Sequence, residues 1–466
     1  MAIINRTQWR KAEVRTVGGY SGTATKTNYL DSPESPASRK WESPSLSVSV
    51  ISEEAEFDTL EADWDRLVRE SDCTVFQTYE WQRTWWKYYA RNRELHCLLF
   101  KEGSEIVGIA PMFREQVKLL GFRIVTRLEV FSEWYVDLIA APARREEVAR
   151  SLAAYLHSRS REWDIFEMRE VNERFPVLNL LLRNLTTYGL RTHTHRGNIC
   201  LQVTLPSSWE GFLQEMGTGR QRRFKRRMKK MQDNFQFEIE SIRDGEEKIR
   251  DAIDEFASIY RKRWSSLGYK SWFDNPNNLS FNHEIAQKFA RRGWLRIFFL
   301  KVGAARVATV FNFNFGSRIY GYQSNVYAPE EIMKCSPGLL LHYAVARQGI
   351  EEGMEVFDLI RGAQPYKMEE FECTASTNWQ LRAVTPSPAH LIRFRIFLAR
   401  ELFDKIAYRL KNDYQTFKRF EITNGSGRRI MVRFIGSELE KIARSALRRS
   451  TRHFKQLRDE TKGSAP

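Results

Sequence analysis

The chain has 466 residues, 42% of them hydrophobic and 13% aromatic, with a net charge of +16. That is enough apolar material for two or three packed domains, which excludes a wholly disordered protein. No apolar run approaches the ~18 residues of a bilayer span, and Met1-Ala2-Ile3-Ile4-Asn5-Arg6 lacks the apolar stretch of a secretion signal, so a cytoplasmic protein is expected.

Cysteines Cys73, Cys97, Cys200, Cys335 and Cys373 are scattered, with no Cys-x-x-Cys pair. Reduced core thiols are expected rather than a disulfide framework or a zinc site. His193 and His195 lie two apart with no carboxylate or cysteine near them, and no metal is predicted. From Leu391 onward there are 19 Lys+Arg against 8 Asp+Glu, so +11 of the +16 sits in the tail. Such an excess favours polyanionic neighbours.

Along the chain, residues 1–46 mix Gly, Ser, Thr, Pro and charges without apolar period and read as a disordered arm. Val48 and Val50 alternate as in a strand, and Phe57, Leu60, Trp64 and Leu67 recur as in a helix. Strands are predicted near Ile124–Phe131, Val136–Ala140 and Ile165–Val171, and helices over Arg144–Ser160 and Val177–Tyr188. Leu95–Phe113 aligns without gaps on Leu295–Phe313, with Leu, Lys, Gly, Val and Phe recurring 200 residues apart. Each copy reads as a hairpin turning at Gly103 or Gly303, preceded by helical sequence at Gln77–Ala90 or His283–Arg291. Two copies of one α/β unit in tandem are therefore predicted, over residues 47–205 and 206–388.

In the second unit, helices are predicted over Ile249–Leu267 and Phe281–Ala290 and strands over Arg318–Tyr322, Glu355–Ile360 and Asn378–Val384, the last closing that unit. Between the first two of these strands, Ser336 is placed to cap a helix whose first residue is Pro337, and Gly338 would leave backbone amides uncovered. A phosphate-sized anion site is expected there, ahead of a strand ending at Asp358 and Arg361. Beyond Pro386 and Pro388, Ile392, Ile396, Leu398, Leu402, Ile406 and Leu410 give a basic amphipathic tail helix within 389–466.

In order and spacing the second unit resembles a GNAT-type acyltransferase, and within that superfamily the CelD/BcsL-like acetyltransferases, related to the double-GNAT FemABX peptidyltransferases. The resemblance spans about residues 50–388. It rests on Ser336-Pro337-Gly338-Leu339-Leu340, Phe357-Asp358, Gly362 and Tyr366-Lys367, with support from Arg220–Arg227 and Tyr260–Trp264. It implies an α/β (α+β) fold of tandem GNAT-like domains, each with a mixed, mostly antiparallel sheet flanked by helices. It also implies acetyl-CoA or another acyl-CoA as co-substrate, with its pyrophosphate at Ser336, Pro337, Gly338, Leu339 and Leu340. The usual Gln/Arg-x-x-Gly-x-Gly/Ala loop is replaced here by Cys335-Ser336-Pro337-Gly338-Leu339. FemABX-like relatives take an aminoacyl-tRNA donor, so tRNA stands as an alternative partner.

Acyl transfer requires a proton acceptor for the attacking amine or hydroxyl and a cation or donors for the oxyanion. Asp358, at the carboxyl end of a strand, is the candidate base or substrate-orienting carboxylate. Lys367 is the candidate cation by resemblance to the FemABX lysine, and Tyr366 or Tyr322 a proton source for the leaving thiolate. Asp358 as a turn cap, Lys367 as a solvated residue and both tyrosines as core are the plainer alternatives.

Arg220–Lys230 holds eight basic residues and no acid in eleven positions, with Phe224, Met228 and Met231 at helical spacing. Arg220, Arg223 and Arg227 are candidates to hold a sugar phosphate, the CoA 3′-phosphate or a nucleic-acid backbone, or else belong to a solvated helix. Tyr260, Arg263, Trp264 and Arg361 are candidates for the acceptor channel. No Ser or Cys nucleophile with a His partner is evident, so direct attack is expected. The acceptor implied is a small-molecule or glycan-linked precursor of cellulose or another exopolysaccharide. Arg393, Arg395, Arg400, Lys405 and Arg409 beside the tail's apolar stripe suggest an anionic membrane surface as partner, and packing of the stripe on the second unit as its alternative. A non-catalytic double-GNAT scaffold that binds polyanions is the reading outside enzymes.

Overall fold

The computed structural model describes residues 45–424 apart from Leu120 and Ser132, with side chains as far as Tyr408. The expected arm (1–46) therefore lies almost wholly outside the described residues, although Leu46 is already buried in the core.

The first half runs β1 (Ser47–Ile51), α1 (Glu54–Asp58), α2 (Glu61–Glu70), α3 (Tyr79–Tyr89), β2 (Glu94–Leu95), β3 (Cys97–Glu102), β4 (Glu105–Ala110), β5 (Met112–Leu119), β6 (Phe122–Val130), β7 (Ile139–Ala140), α4 (Arg145–Ser158), β8 (Ile165–Asn172), α5 (Val177–Thr187) and β9 (Arg191–Thr204). The second half runs α6 (Trp209–Glu215), α7 (Gly217–Asn234), β10 (Phe237–Ile242), α8 (Glu246–Ser266), α9 (Pro276–Arg291), β11 (Leu295–Val302), β12 (Ala305–Phe315), β13 (Arg318–Val326), α10 (Glu330–Met333), α11 (Pro337–Glu351), β14 (Val356–Arg361), α12 (Pro365–Glu370) and β15 (Cys373–Val384). A last helix, α13, covers Pro388–Asn424.

The internal repeat is present in the backbone. Gly103 and Gly303 turn their hairpins at φ +59° and +58°, a left-handed conformation that glycine adopts without strain. The pairing slips at the same place in both copies, between Phe100 and Lys101 and between Leu300 and Lys301. The copies then diverge at one residue. Pro111, which has no N–H to offer a ladder, interrupts the strand that runs unbroken through Phe311 in the second half. The first half thus splits into a four-stranded sheet, β1-β3-β4-β7, and a contribution to a larger one.

That larger sheet has eleven strands in the order β10-β11-β12-β13-β14-β9-β15-β8-β6-β5-β2. β15 was expected to close the second unit. It pairs instead with β8 and β9 of the first half, while β9 pairs with β14 of the second. The halves have exchanged strands, so each completes the other's sheet.

Three cores follow from this arrangement. Helices α2, α3, α8 and α9 bury one apolar cluster shared by both halves, where Trp81 meets Phe281 at 5.1 Å and Tyr322 at 5.6 Å between ring centroids in edge-to-face contacts. Helices α4 and α5 cover the first half, and α6, α7 and α11 the second. All five cysteines are unpaired thiols and four are buried. Among the described residues, no helix is long and apolar enough to cross a membrane.

The tail helix packs differently from the alternative expected for it. Phe394 and Phe397 pack against Val125 and Ile165 of the first half and against Val384 of β15, where that strand joins the strands of the first half. Ile392 and Ile396 of the stripe face away from that contact, as the 100° helical step requires, whereas Leu398, four residues after Phe394, borders it. Leu410 lies outside the described side chains.

Candidate active site

β13 and β14 run parallel, but they pair only from Arg318–Val356 to Tyr320–Asp358. Beyond that point Ile360 takes the left-handed conformation at φ +54° and the strands part company. From Gly321 onward, β13 therefore has one edge without a strand partner. A cleft of about 790 Å³ opens there, at the carboxyl ends of the parallel pair, where α/β sheets place their ligands.

Lys367 is carried into this cleft on the first turns of α12 and is only 7% exposed. Its Nζ donates to the Leu359 carbonyl at 2.8 Å, which fixes the ammonium at the mouth of the open strand pair. Burial pulls its pKa down to about 8, opposed by the Asp358 carboxylate. His342, on α11, also lines the cleft; burial and then the Lys367 charge push its imidazole down to about 3, so the ring is neutral. Tyr366 stacks on it at 6.1 Å between centroids and is 38% exposed. Tyr322 lines the cleft as well, but it is enclosed by aromatic rings including Phe311, Phe313 and Trp134, and burial raises its hydroxyl pKa far above the usual range.

Asp358 stands behind this wall and is not among the lining residues. Its carboxylate accepts hydrogen bonds from Tyr135 Oη at 2.8 Å, Gln202 Nε2 at 2.5 Å and the Ile360 amide at 2.8 Å. With three donors on two oxygens, it tethers the first half and holds Ile360 in its left-handed turn.

The opposite wall comes from the other half. Trp134 supports the Arg361 guanidinium at 4.1 Å from its ring centroid, and Glu170 lies 3.7 Å from the same cation. Glu133 lines the cleft with a pKa raised by burial, against the pull of Arg361. Tyr260 and Trp264 stack on each other at 5.8 Å and present an aromatic platform; Arg263, on the same helix, does not reach the cleft. Glu133, Trp134, Glu170 and His342 escaped the sequence reading. The available signal was the Glu-Trp-Tyr run interrupting two apolar strands, in a half assigned no chemistry.

Two expected groups lie elsewhere. Ser336 is left-handed (φ +58°) and makes no side-chain cap. The amides of Cys335 and Ser336 bond Ile332 and Met333 carbonyls, and those of Leu339 and Leu340 both bond the Ser336 carbonyl. Pro337, Leu339 and Leu340 are buried, and a Cβ on Gly338 would meet Val326 Cγ2 at 2.5 Å. The expected row of free amides is thus not presented. Gly338 serves close packing of α11 on β13, and none of the five residues lines the cleft.

Arg220, Arg223 and Arg227 hold α12 in place instead of facing the cleft. Arg227 grips the buried Glu370 carboxylate with two bonds of 2.9 Å, Arg223 reaches the same group at 3.2 Å, and Arg220 bonds the Glu369 carbonyl at 3.0 Å. These arginines hold the Glu370 pKa down against the effect of its burial.

A parallel pair that opens at its carboxyl end, with a helix packed between its strands in sequence, is the geometry against which relatives can be weighed. Residues 219–368 match the Acetyltransferase (GNAT) domain family. The matched segment runs from the first turn of α7 through most of α12, and includes the cleft wall that bears Lys367. The chain is similar in structure to FemX, with a TM-score of 0.52 at 10% identity over 72% of this chain and 98% of that one. That likeness establishes a shared fold of tandem GNAT-like halves. L-PGS from Bacillus licheniformis (TM-score 0.45, 12% identity, 72% of this chain and 95% of that one) and a tandem GNAT protein from the clavulanic acid biosynthesis pathway (0.41, 12%, 73% and 99%) are more distant in shape. No curated protein matches the chain. The GNAT match supports a GNAT-type acyltransferase.

Proposed function

We propose that the protein transfers an acetyl or related acyl group from acyl-CoA to an amine or hydroxyl of a sugar-linked envelope or exopolysaccharide precursor, as in the CelD/BcsL-like group, on the cytoplasmic side. The supporting observation is the Lys367 ammonium fixed at the mouth of the open β13–β14 pair. The unpaired edge of β13 suits an extended, amide-bearing donor, which can pair with it as a strand would. Tyr260 and Trp264 offer stacking faces for a sugar ring.

In this reading the acceptor's lone pair attacks the thioester carbonyl, and Lys367 faces the resulting oxyanion. Glu133, whose raised pKa suits proton transfer, takes the acceptor's proton. The C–S bond then breaks, and Tyr366 protonates the departing thiolate. Asp358 acts as a positioning residue through Tyr135 and Ile360. Burial pushes the Cys200 thiol up to about 12 and the Cys373 thiol to about 11, which disfavours a thiolate nucleophile and favours direct attack.

The test is mass-spectrometric detection of acyl transfer to amino sugars and nucleotide sugars. Lys367→Met is expected to lower kcat by about 10²–10³-fold while acetyl-CoA binding, read by calorimetry, is retained. Absence of acetyl-CoA binding at millimolar ligand would overturn the reading.

One observation favours a second donor, aminoacyl-tRNA. Arg222, Lys225, Arg226, Lys229 and Lys230 share the outward face of α7, all exposed. A phosphate backbone laid along them would give a binding constant that falls with salt by roughly 0.7–0.9 log units per log unit for each phosphate neutralised. Titration with charged tRNA against acyl-CoA separates the two donors.

A further inference from the structure

Two apolar features stand exposed on one side of the first half. One is the tip of the β5–β6 hairpin, where Leu119 pairs with Phe122 and the two are 42% and 79% exposed. The other is the outward face of α13, where Ile392, Ile396, Leu402 and Phe403 are 58%, 42%, 44% and 69% exposed. They are neighbours, because Val117 and Val125, the pair just inside the hairpin tip, pack in the same small core as Leu391, Phe394 and Phe397 of α13. A helix docked through two phenylalanines would ordinarily carry polar residues opposite them. This one carries isoleucines and a phenylalanine.

The borders of this surface are basic. Lys118 and Arg123 flank the hairpin tip and are exposed, and Arg395 and Lys405 flank the helix stripe and are exposed. Arg400 borders it too, 3.6 Å from Asp404. Glu401 points inward onto Arg382, at 2.7 and 2.9 Å, and so does not cancel them. The chain from Leu391 onward adds 19 basic against 8 acidic residues.

We propose that this face seats on the surface of an anionic lipid bilayer, with Leu119 and Phe122 wedged among the acyl chains and α13 lying in the interface plane. Apolar side chains rimmed by Lys and Arg meet both demands of that surface, burial of hydrocarbon and attraction to acidic headgroups. A second copy of this chain would satisfy the apolar part but would set the two basic rims against each other. The proposal is independent of the acyl donor and acceptor, since no residue in it lines the cleft.

The test is co-sedimentation of the full chain with phosphatidylcholine vesicles with and without phosphatidylglycerol. Binding is expected only with phosphatidylglycerol, falling with salt. Phe122→Ser with Phe403→Ser is expected to weaken partitioning about tenfold or more at an unchanged melting temperature. Arg395→Glu with Lys405→Glu is expected to flatten the salt dependence. The proposal is overturned if the wild-type chain stays in solution, if the serine variant binds as well as wild type, or if the chain is a dimer by light scattering that the serine variant makes monomeric.

Discussion

His342 shows how burial alone sets a chemical state. Its ring is 6% exposed, its Nδ1 has no hydrogen-bond partner among the described residues, and its pKa is held at about 3. The unfolded chain binds a proton here below about 6.5 and the folded one does not, so folding stability is lost as pH falls from about 6.5 towards 3. Chemical denaturation across that range is expected to show this slope, reduced in His342→Leu. Lys367 is likewise a base that burial disfavours in its charged form, so its share of stability rises from pH about 8 towards 10.5. If its ammonium meets the oxyanion, turnover falls over that same interval. A pH–rate profile that declines above about 8 in wild type and is flat in Lys367→Arg is the expected outcome. Both residues were visible in the sequence, but only Lys367 was singled out. Nothing local marks a histidine on an apolar helix face as cleft-lining, because its neighbour Tyr366 comes from a different element. Ser336 misled for a related reason. A residue before proline is normally extended, whereas Ser336 is left-handed, which no local sequence signal announces.

Among elements, α7 carries its charge on two faces, one turned inward and one exposed. Its inner arginines clamp Glu370 and the Glu369 carbonyl, which fixes α12 and therefore Lys367. Removing one partner of this buried pair leaves the Glu370 carboxylate short of donors. Arg227→Met is accordingly expected to cost about 2–3 kcal/mol, read as a lower urea midpoint, and to loosen the cleft wall. Glu370 has a depressed pKa, so the clamp is intact above the carboxylate's ordinary value and is lost as pH falls through its lowered one. The amphipathic period announced α7, α11 and α13, and most strand cores lay where alternation placed them. Val136–Ala140 shrank to β7, Ile139–Ala140, since the preceding residues leave the sheet to form the loop that bears Trp134 and Tyr135. A local apolar run cannot distinguish a strand from a buried loop, because both hide the same side chains.

At the scale of the molecule, the hairpin repeat correctly announced two related halves, but their interlocking was not legible. Which strands pair is decided by contacts more than 150 residues apart, such as Val356 with Thr204 and Val384 with Arg191, and apolar alternation is equally content with either neighbour. The described residues form one compact unit, with a core common to both halves. Residues 206–388 expressed alone would lack β9 and leave the edges of β14 and β15 open. They are expected to aggregate, whereas the full chain is expected to melt in a single calorimetric transition whose van't Hoff and calorimetric enthalpies agree.

The position of β15 also sets an order of events during synthesis. β8 lies ready once its residues leave the ribosome, yet the strand that caps it is made only after roughly two hundred more residues, in on the order of 10–40 seconds of elongation. Throughout that interval the nascent first half carries an open edge that any passing strand can join, so a chaperone that shields it, or a reporter that stalls translation before Val384, acts on the whole protein and not on its second half alone.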